Sequence, residues 1–315
     1  MKKSFKLIAI VLAVAALATI GFTACDKTEA DFTVGILQPI SHDALGAANR
    51  GFQEELTRLM NAEGKTVAFD DQNAQGNEET MTTIVSTFMS KGVDLMLTIG
   101  TGATQVASGL DKTTPILFTA VTDPASAGIL TSNNVSGTSD MNPVKDQMEL
   151  CKKLGMTKVA LLYTSNEDNS RIQIDKAKAV CDGIGLNYVV KTVSGMDDIM
   201  TVMNDIGADT SIDGIYIPTD NNLAANAATV HAQNKAGRCL PVVCGEESMN
   251  NLCGVATYSI DYYKLGKQTA QMAFDILMGN KKVGEMPVEY QLGKPALSKN
   301  QAVADDLGFD LSVLD

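Results

Sequence analysis

From Phe32 onward the chain alternates two hydrophobic rhythms. Short runs rich in β-branched and aliphatic residues predict strands, and apolar positions three or four apart predict helices between them. Phe32–Ile36, Lys65–Phe69, Leu95–Ile99 and Pro115–Phe118 read as strands. Asp43–Asn61 reads as a helix with Leu45, Ala48, Phe52, Leu56 and Leu59 on one face, and Asn77–Ser90 and Thr101–Leu110 read as further helices. The pattern then restarts with a helix at Pro143–Leu154 and a strand at Lys158–Leu162. Helices at Ile172–Ile184, Asp197–Ile206 and Asn222–Lys235 alternate with strands at Asn187–Lys191, Gly214–Ile217 and Pro241–Val243. A strand at Val255–Thr257, a helix at Tyr262–Met278 and a last strand at Val288–Gln291 complete the series. Alternation of this kind builds an α/β protein with parallel sheets and helices on both faces. The restart predicts two Rossmann-like lobes.

The first residues follow a different pattern. Lys2, Lys3 and Lys6 precede an apolar run from Leu7 to Ile20, which small residues follow. The run is shorter than the ~20 residues that span a bilayer, so residues 1–24 read as a secretory signal rather than a retained anchor. Phe22-Thr23-Ala24-Cys25 resembles a bacterial lipobox, with Phe22 where Leu is usual. Cys25 would then carry acyl chains that hold the protein to a membrane, and residues 25–31 would form a polar tether.

Composition narrows the classes of function. Among 315 residues, 37 are acidic and 25 basic, a net charge of −12, which argues against a nucleic-acid partner. Removing the signal removes three lysines and leaves the remainder more acidic still. Trp is absent and aromatics make up only 5%, which argues against broad aromatic recognition surfaces. The length exceeds the ~250–300 residues that one core supports, which again asks for two lobes. Beyond Cys25 lie Cys151, Cys181, Cys239, Cys244 and Cys253, an odd number. Even with His231 nearby, their spacing fits no zinc motif, so buried thiols are expected. A Cys239–Cys244 or Cys244–Cys253 disulfide stays open.

Ligands of open α/β sheets sit beyond the carboxyl ends of the strands. The residues there are short and polar: Gln38 to His42, Thr98 to Thr104, Thr119 to Pro124, Tyr163 to Ser170, Pro218 to Asn221, Gly245 to Glu247 and Ser259 to Tyr262. Ser41 and His42 fall in the first of these loops, and His42 is a candidate pocket residue. Gly100-Thr101-Gly102-Ala103-Thr104 opens a helix whose free amides attract a carboxylate or phosphate, although a Thr-capped helix looks the same. It is no nucleotide loop, because no Gly-Lys-Ser/Thr follows. Asp123, Asp220 and Asp261 each follow a strand and suit either an ammonium group or a helix cap. Asn166 and Ser170 are rim candidates. Nucleophile motifs, metal spacings and cofactor fingerprints are absent from the sequence, so neither catalysis nor a cofactor is expected.

Four segments together carry a family resemblance: Gln72-Asn73-Ala74-Gln75-Gly76, Ala120-Val121-Thr122-Asp123-Pro124, Pro218-Thr219-Asp220-Asn221 and Ile260-Asp261-Tyr262-Tyr263-Lys264-Leu265-Gly266. The chain from Thr33 to about Leu311 resembles substrate-binding lipoproteins of ABC transporters, including the tryptophan/tyrosine-binding type. The resemblance implies a type I periplasmic-binding-protein fold, two lobes joined by three crossovers near Met141–Pro143, Ala256–Ile260 and Gly284–Val288. Residues 32–141 and 258–285 would form the first lobe, and 142–257 and 286–315 the second. The helix from Tyr262 would return to the first lobe and the strand from Val288 to the second. Ser259 stands where the family commonly has Gly.

The resemblance further implies an α-amino acid closed between the lobes, with an aromatic side chain favoured. Its carboxylate would lie at Thr101, Ala103 and Thr104 and around Thr122, and its ammonium at Asp220 or Asp261. Asn166, Ser170, Asn221 and Glu246 would complete the cleft. By their places after the strands Ser41, His42, Asp123 and Thr219 are further candidates, and Phe118, Tyr163, Tyr216 and Tyr258 are candidate aromatic walls. The implied partners are a permease with its ATPase, and the membrane through acylated Cys25. A ligand sensor that signals to a membrane receptor is the alternative.

Overall fold

The computed structural model describes residues 30–315; the expected signal segment and Cys25 lie outside the described residues. Seven elements begin the first lobe: β1 (Phe32–Gln38), α1 (Asp43–Ala62), β2 (Val67–Asn73), α2 (Glu78–Lys91), β3 (Leu95–Ile99), α3 (Thr101–Leu110) and β4 (Ile116–Val121). A fifth strand, β5 (Val135–Ser139), follows and leads across to the second lobe. That lobe contains α4 (Val144–Lys153), β6 (Lys158–Thr164), α5 (Asp168–Ile184), β7 (Asn187–Val193), α6 (Ile199–Ala208) and β8 (Gly214–Ile217). It continues through α7 (Asn221–Ala225), α8 (Ala227–Ala236), β9 (Val242–Cys244), α9 (Glu247–Cys253) and β10 (Ala256–Ser259). The chain ends with α10 (Tyr262–Leu277), β11 (Glu289–Tyr290), β12 (Ala296–Lys299) and α11 (Gln301–Leu307).

Each lobe holds a six-stranded sheet, in the orders β2-β1-β3-β4-β5-β11 and β7-β6-β8-β9-β10-β12. Both share the doubly wound 2-1-3-4-5 core order, with one late strand added on the far edge. Every pairing is parallel except β10 with β12. The central strands β3, β4 and β8 are buried along their whole length, as continuous apolar runs in parallel sheets should be. Each order reverses beside β1 and β6, and there a crevice opens beyond the strand ends.

The crossovers differ from expectation in one respect. After β10 the chain returns to the first lobe, where α10 packs on α1. A Cβ on Gly266 would stand 1.9 Å from the Ala48 carbonyl oxygen, and one on Gly51 would stand 2.1 Å from that of Tyr263. Only glycine permits this approach. The strand expected at Val288–Gln291 then joins the first sheet, Glu289 pairing beside Thr138 and Tyr290 beside Ser139, rather than the second. The final crossover therefore lies between Tyr290 and Ala296. Tyr258 and Ser259, expected in the first lobe, belong to β10 of the second sheet.

Several elements escaped the periodicity. β5 reads Val-Ser-Gly-Thr-Ser and lacks an apolar run, yet it is wholly buried. Its hydroxyls find partners: Ser136 donates to the Met286 carbonyl at 2.9 Å, Thr138 meets Thr269 at 2.7 Å, and Ser139 donates to the Thr122 carbonyl at 2.8 Å. α9, β12 and α11 are also short, and the expected helix at Asn222–Lys235 breaks at Asn226 into α7 and α8. Among the described residues, no helix is long and apolar enough to cross a membrane.

Candidate functional site

The loops at the strand ends of both lobes meet around a cavity of about 390 Å³. That size falls in the ~300–1,000 Å³ range of small-molecule sites. The first lobe supplies Pro39, Ile40, Gly76, Met81, Gly102 and Val106, an aliphatic wall, together with Glu78 and Gln105. The second supplies Thr164, Asn166, Glu167, Asn221 and Asn222, which are polar. On the crossover side a further pocket of about 480 Å³ is lined by Asp43, Arg50, Glu246, Ile260 and Asp261, among others.

Gly100, at φ 84°, turns the chain from β3 into α3. The first amides of a helix lack partners within it, and they carry the positive end of the helix dipole. At this end the Thr101 hydroxyl is buried without a partner, beside Gly102 of the cavity wall. Thr104 does something else: its hydroxyl donates to the Gly100 carbonyl at 2.8 Å and meets Thr98 at 2.9 Å. Ala103 packs into the apolar core between α3 and the sheet. Thr101, Ala103 and Thr104 are all buried, but Ala103 packs into the core and Thr104 is satisfied within the lobe, which leaves only the Thr101 hydroxyl without a partner.

On the second lobe, Asp220 caps α7, accepting from the Leu223 amide at 2.9 Å. It also accepts from the Thr164 amide at 2.7 Å and the Thr164 hydroxyl at 2.8 Å. Glu167 accepts from the Asn221 amide at 2.9 Å, the Asn221 side chain at 2.8 Å and the Asn222 amide at 2.9 Å. Burial, reinforced by the Asp220 charge, pushes Glu167 up to about 7. Burial raises Asp220 as well. Glu246 caps α9, accepting from Ser248 and Met249 amides at 2.6 Å each, and burial raises it too.

The lobes touch directly. His42 Nε2 lies 3.2 Å from Asn221 Oδ1, while His42 Nδ1 is buried with no partner. Burial keeps the imidazole below its ordinary pKa. Gln105 donates to Asp168 at 3.0 Å, and Lys176 pairs with Asp123 at 3.6 Å. At the first crossover Asp140 is buried, accepting from Tyr262 at 2.8 Å and Thr122 at 3.0 Å. Next to it, Asn142 donates to the Thr219 hydroxyl at 3.0 Å.

The remaining sequence candidates divide by environment. Ser170 donates to the Thr219 carbonyl at 3.2 Å, so both are structural partners of the α5–β8 junction. Thr122 serves Asp140, and Ser41 accepts from Asn73 at 2.8 Å. Asp261 caps α10 and pairs with Lys264 at 2.9 Å, leaving it with a cation of its own. Among the candidate aromatic walls, Phe118 and Tyr216 are wholly buried in the lobe cores, and Tyr163 and Tyr258 pack against the second core. None of the four lines the 390 Å³ cavity. Glu167, Gln105, Asp140 and Asn142 were missed as individual residues. Glu167 stood inside the loop Tyr163–Ser170, where only its neighbours were singled out.

Comparisons with known proteins agree with this architecture. The model of the ABC transporter substrate-binding protein family matches residues 33–312. A tyrosine-binding protein of Clostridioides difficile is 33% identical over 262 residues, 81% of this chain and 75% of that protein. A Streptococcus pneumonia structure in complex with L-Trp is 30% identical, covers 89% of this chain and 97% of its own, and superposes with a TM-score of 0.81. A ligand-free, open structure of a Clostridium difficile substrate-binding protein is 31% identical, covering 89% and 95%, with a TM-score of 0.66. With two α/β lobes in the type I periplasmic-binding-protein arrangement, the chain belongs to the substrate-binding protein family of ABC transporters.

Proposed function

We propose that the protein is an extracytoplasmic receptor that closes its lobes around an α-amino acid, with an aromatic side chain favoured, and delivers it to an ABC permease. The observation that carries this reading is the polarity of the cleft. One side offers the start of α3 with the unpartnered Thr101 hydroxyl; the other offers Glu167 on the cavity wall with the buried Asp220 as its neighbour, both carboxyls raised by burial. A zwitterion complements both ends: its carboxylate suits the helix terminus and its ammonium suits the acids. Asp261 is the weaker ammonium partner, because Lys264 already occupies it.

Ile40, Met81 and Val106 offer an apolar seat for a side chain, and the Met81 thioether suits an aromatic ring. At nearly equal identity, the chain superposes better on the L-Trp complex than on the open, ligand-free relative. This favours a closed, ligand-ready shape. A signal at residues 1–24 and an acylated Cys25 would anchor it outside the cytoplasm. The test is a thermal-shift series on purified protein with each common amino acid. The expected result is the largest rise in Tm with an aromatic amino acid; no rise with any of them would overturn the reading.

A further inference from the structure

We propose that Cys244 and Cys253 are the site of an oxidative modification, an intramolecular disulfide that ties α9 to β9. The two Sγ atoms already lie 3.7 Å apart, and both residues are fully buried. Cys244 is the last residue of β9 and Cys253 the last of α9, so the bond would close one strand–loop–helix unit. The backbone is packed tightly at this point: a Cβ on Gly254 would fall 2.7 Å from the Cys244 sulfur and 2.4 Å from Asn250 Oδ1. Proteins of this family work outside the cytoplasm, where disulfides form and persist.

The chemistry balances by exchange with an external low-molecular-weight disulfide. A thiolate of one cysteine attacks that disulfide and releases one external thiol. The other cysteine then attacks the mixed disulfide and releases the second. The two protein sulfurs lose two electrons and two protons, and the external disulfide is reduced to two thiols. Burial and the adjacent Cys253 push the Cys244 thiol well up, so exchange belongs to the folding chain, before the pair is enclosed. The bond would stiffen the unit that carries Glu246, Glu247, Ser248 and Asn251 of the crossover-side pocket.

The test refolds the full chain with oxidised and reduced glutathione, blocks remaining thiols with an alkylating agent under denaturing conditions, and maps the peptides. The expected result is a mass lower by two hydrogens, a peptide joining Cys244 to Cys253, and alkylated Cys25, Cys151, Cys181 and Cys239. Reduction should restore the mass and lower Tm, whereas in the Cys244→Ser/Cys253→Ser variant reduction should leave Tm unchanged. Recovery of Cys244 and Cys253 as separately alkylated thiols, or of Cys244 joined to Cys239, would overturn the assignment. The amino-acid thermal shift is read separately, so failure of the receptor reading leaves this result standing.

Discussion

His42 and Asn221, 179 positions apart, meet across the cleft with Nε2 and Oδ1 3.2 Å apart. The same Asn221 side chain donates to Glu167 at 2.8 Å. One residue thus joins the first lobe to the acidic wall of the second. Asn221→Ala removes both contacts. A net hydrogen bond is worth ~1 kcal/mol, so loss of the two should lower ligand affinity by up to roughly thirtyfold by isothermal titration. Because both contacts form without ligand, denaturant unfolding of the unliganded protein should also show a loss of about 1–2 kcal/mol.

Glu167 makes the protein sensitive to pH. Its carboxyl moves from an ordinary 4.5 to about 7 on folding, so the folded chain keeps a proton that the unfolded chain has released. The stabilisation is complete below pH 4.5 and is lost as pH rises through about 7. Glu167→Gln should flatten the dependence of Tm on pH across that window. An ammonium ligand favours the ionised carboxylate, so binding near pH 6 should release protons. Calorimetry in buffers of different ionisation enthalpy reads that release directly.

Thr101→Val separates binding from folding. The hydroxyl is buried without a partner, so replacing it with a methyl should leave the unliganded Tm equal or higher. A hydrogen bond to a charged carboxylate contributes about 1.5–3 kcal/mol, so affinity should drop by roughly ten- to a hundredfold. Unchanged affinity would remove Thr101 from the site.

The α1–α10 contact is the most exacting packing in the first lobe. Gly266→Ala would drive a methyl to 1.9 Å from a backbone oxygen that no rotamer change can move. Overpacking costs about 1–3 kcal/mol, and here the upper end is expected as a lower Tm. Chemical denaturation should show a lower midpoint with an unchanged slope.

Tyr262→Phe tests the buried group at the first crossover. Asp140 would lose its 2.8 Å donor and keep Thr122. An under-satisfied buried group costs about 1–3 kcal/mol, which denaturant unfolding measures.

Most helices and central strands could be read from the chain because burial on one face imposes a period on neighbouring residues. β5 could not, since Thr138 and Ser139 are buried only by virtue of hydroxyl partners supplied from Thr269 and Thr122. The edge strand Glu289–Tyr290 was found, but its sheet was not. Two residues carry no signal of which edge they will join, and the choice rests on Thr138 and Ser139 in the other half of the chain.

The cleft divides along the same line. The sequence by itself determined that short polar residues follow the strands, because doubly wound sheets leave their strand ends open. It also determined the acidic balance and the two-lobe plan. Only the tertiary structure decided which of those residues remain available. Ala103 packs into the core, Thr104 is satisfied within the lobe, and Asp261 is occupied by Lys264. Glu167 keeps its proton toward neutral pH because of burial and of the Asp220 charge, 53 positions away. Charge state and availability depend on neighbours brought together by folding, and local spacing carries no record of them.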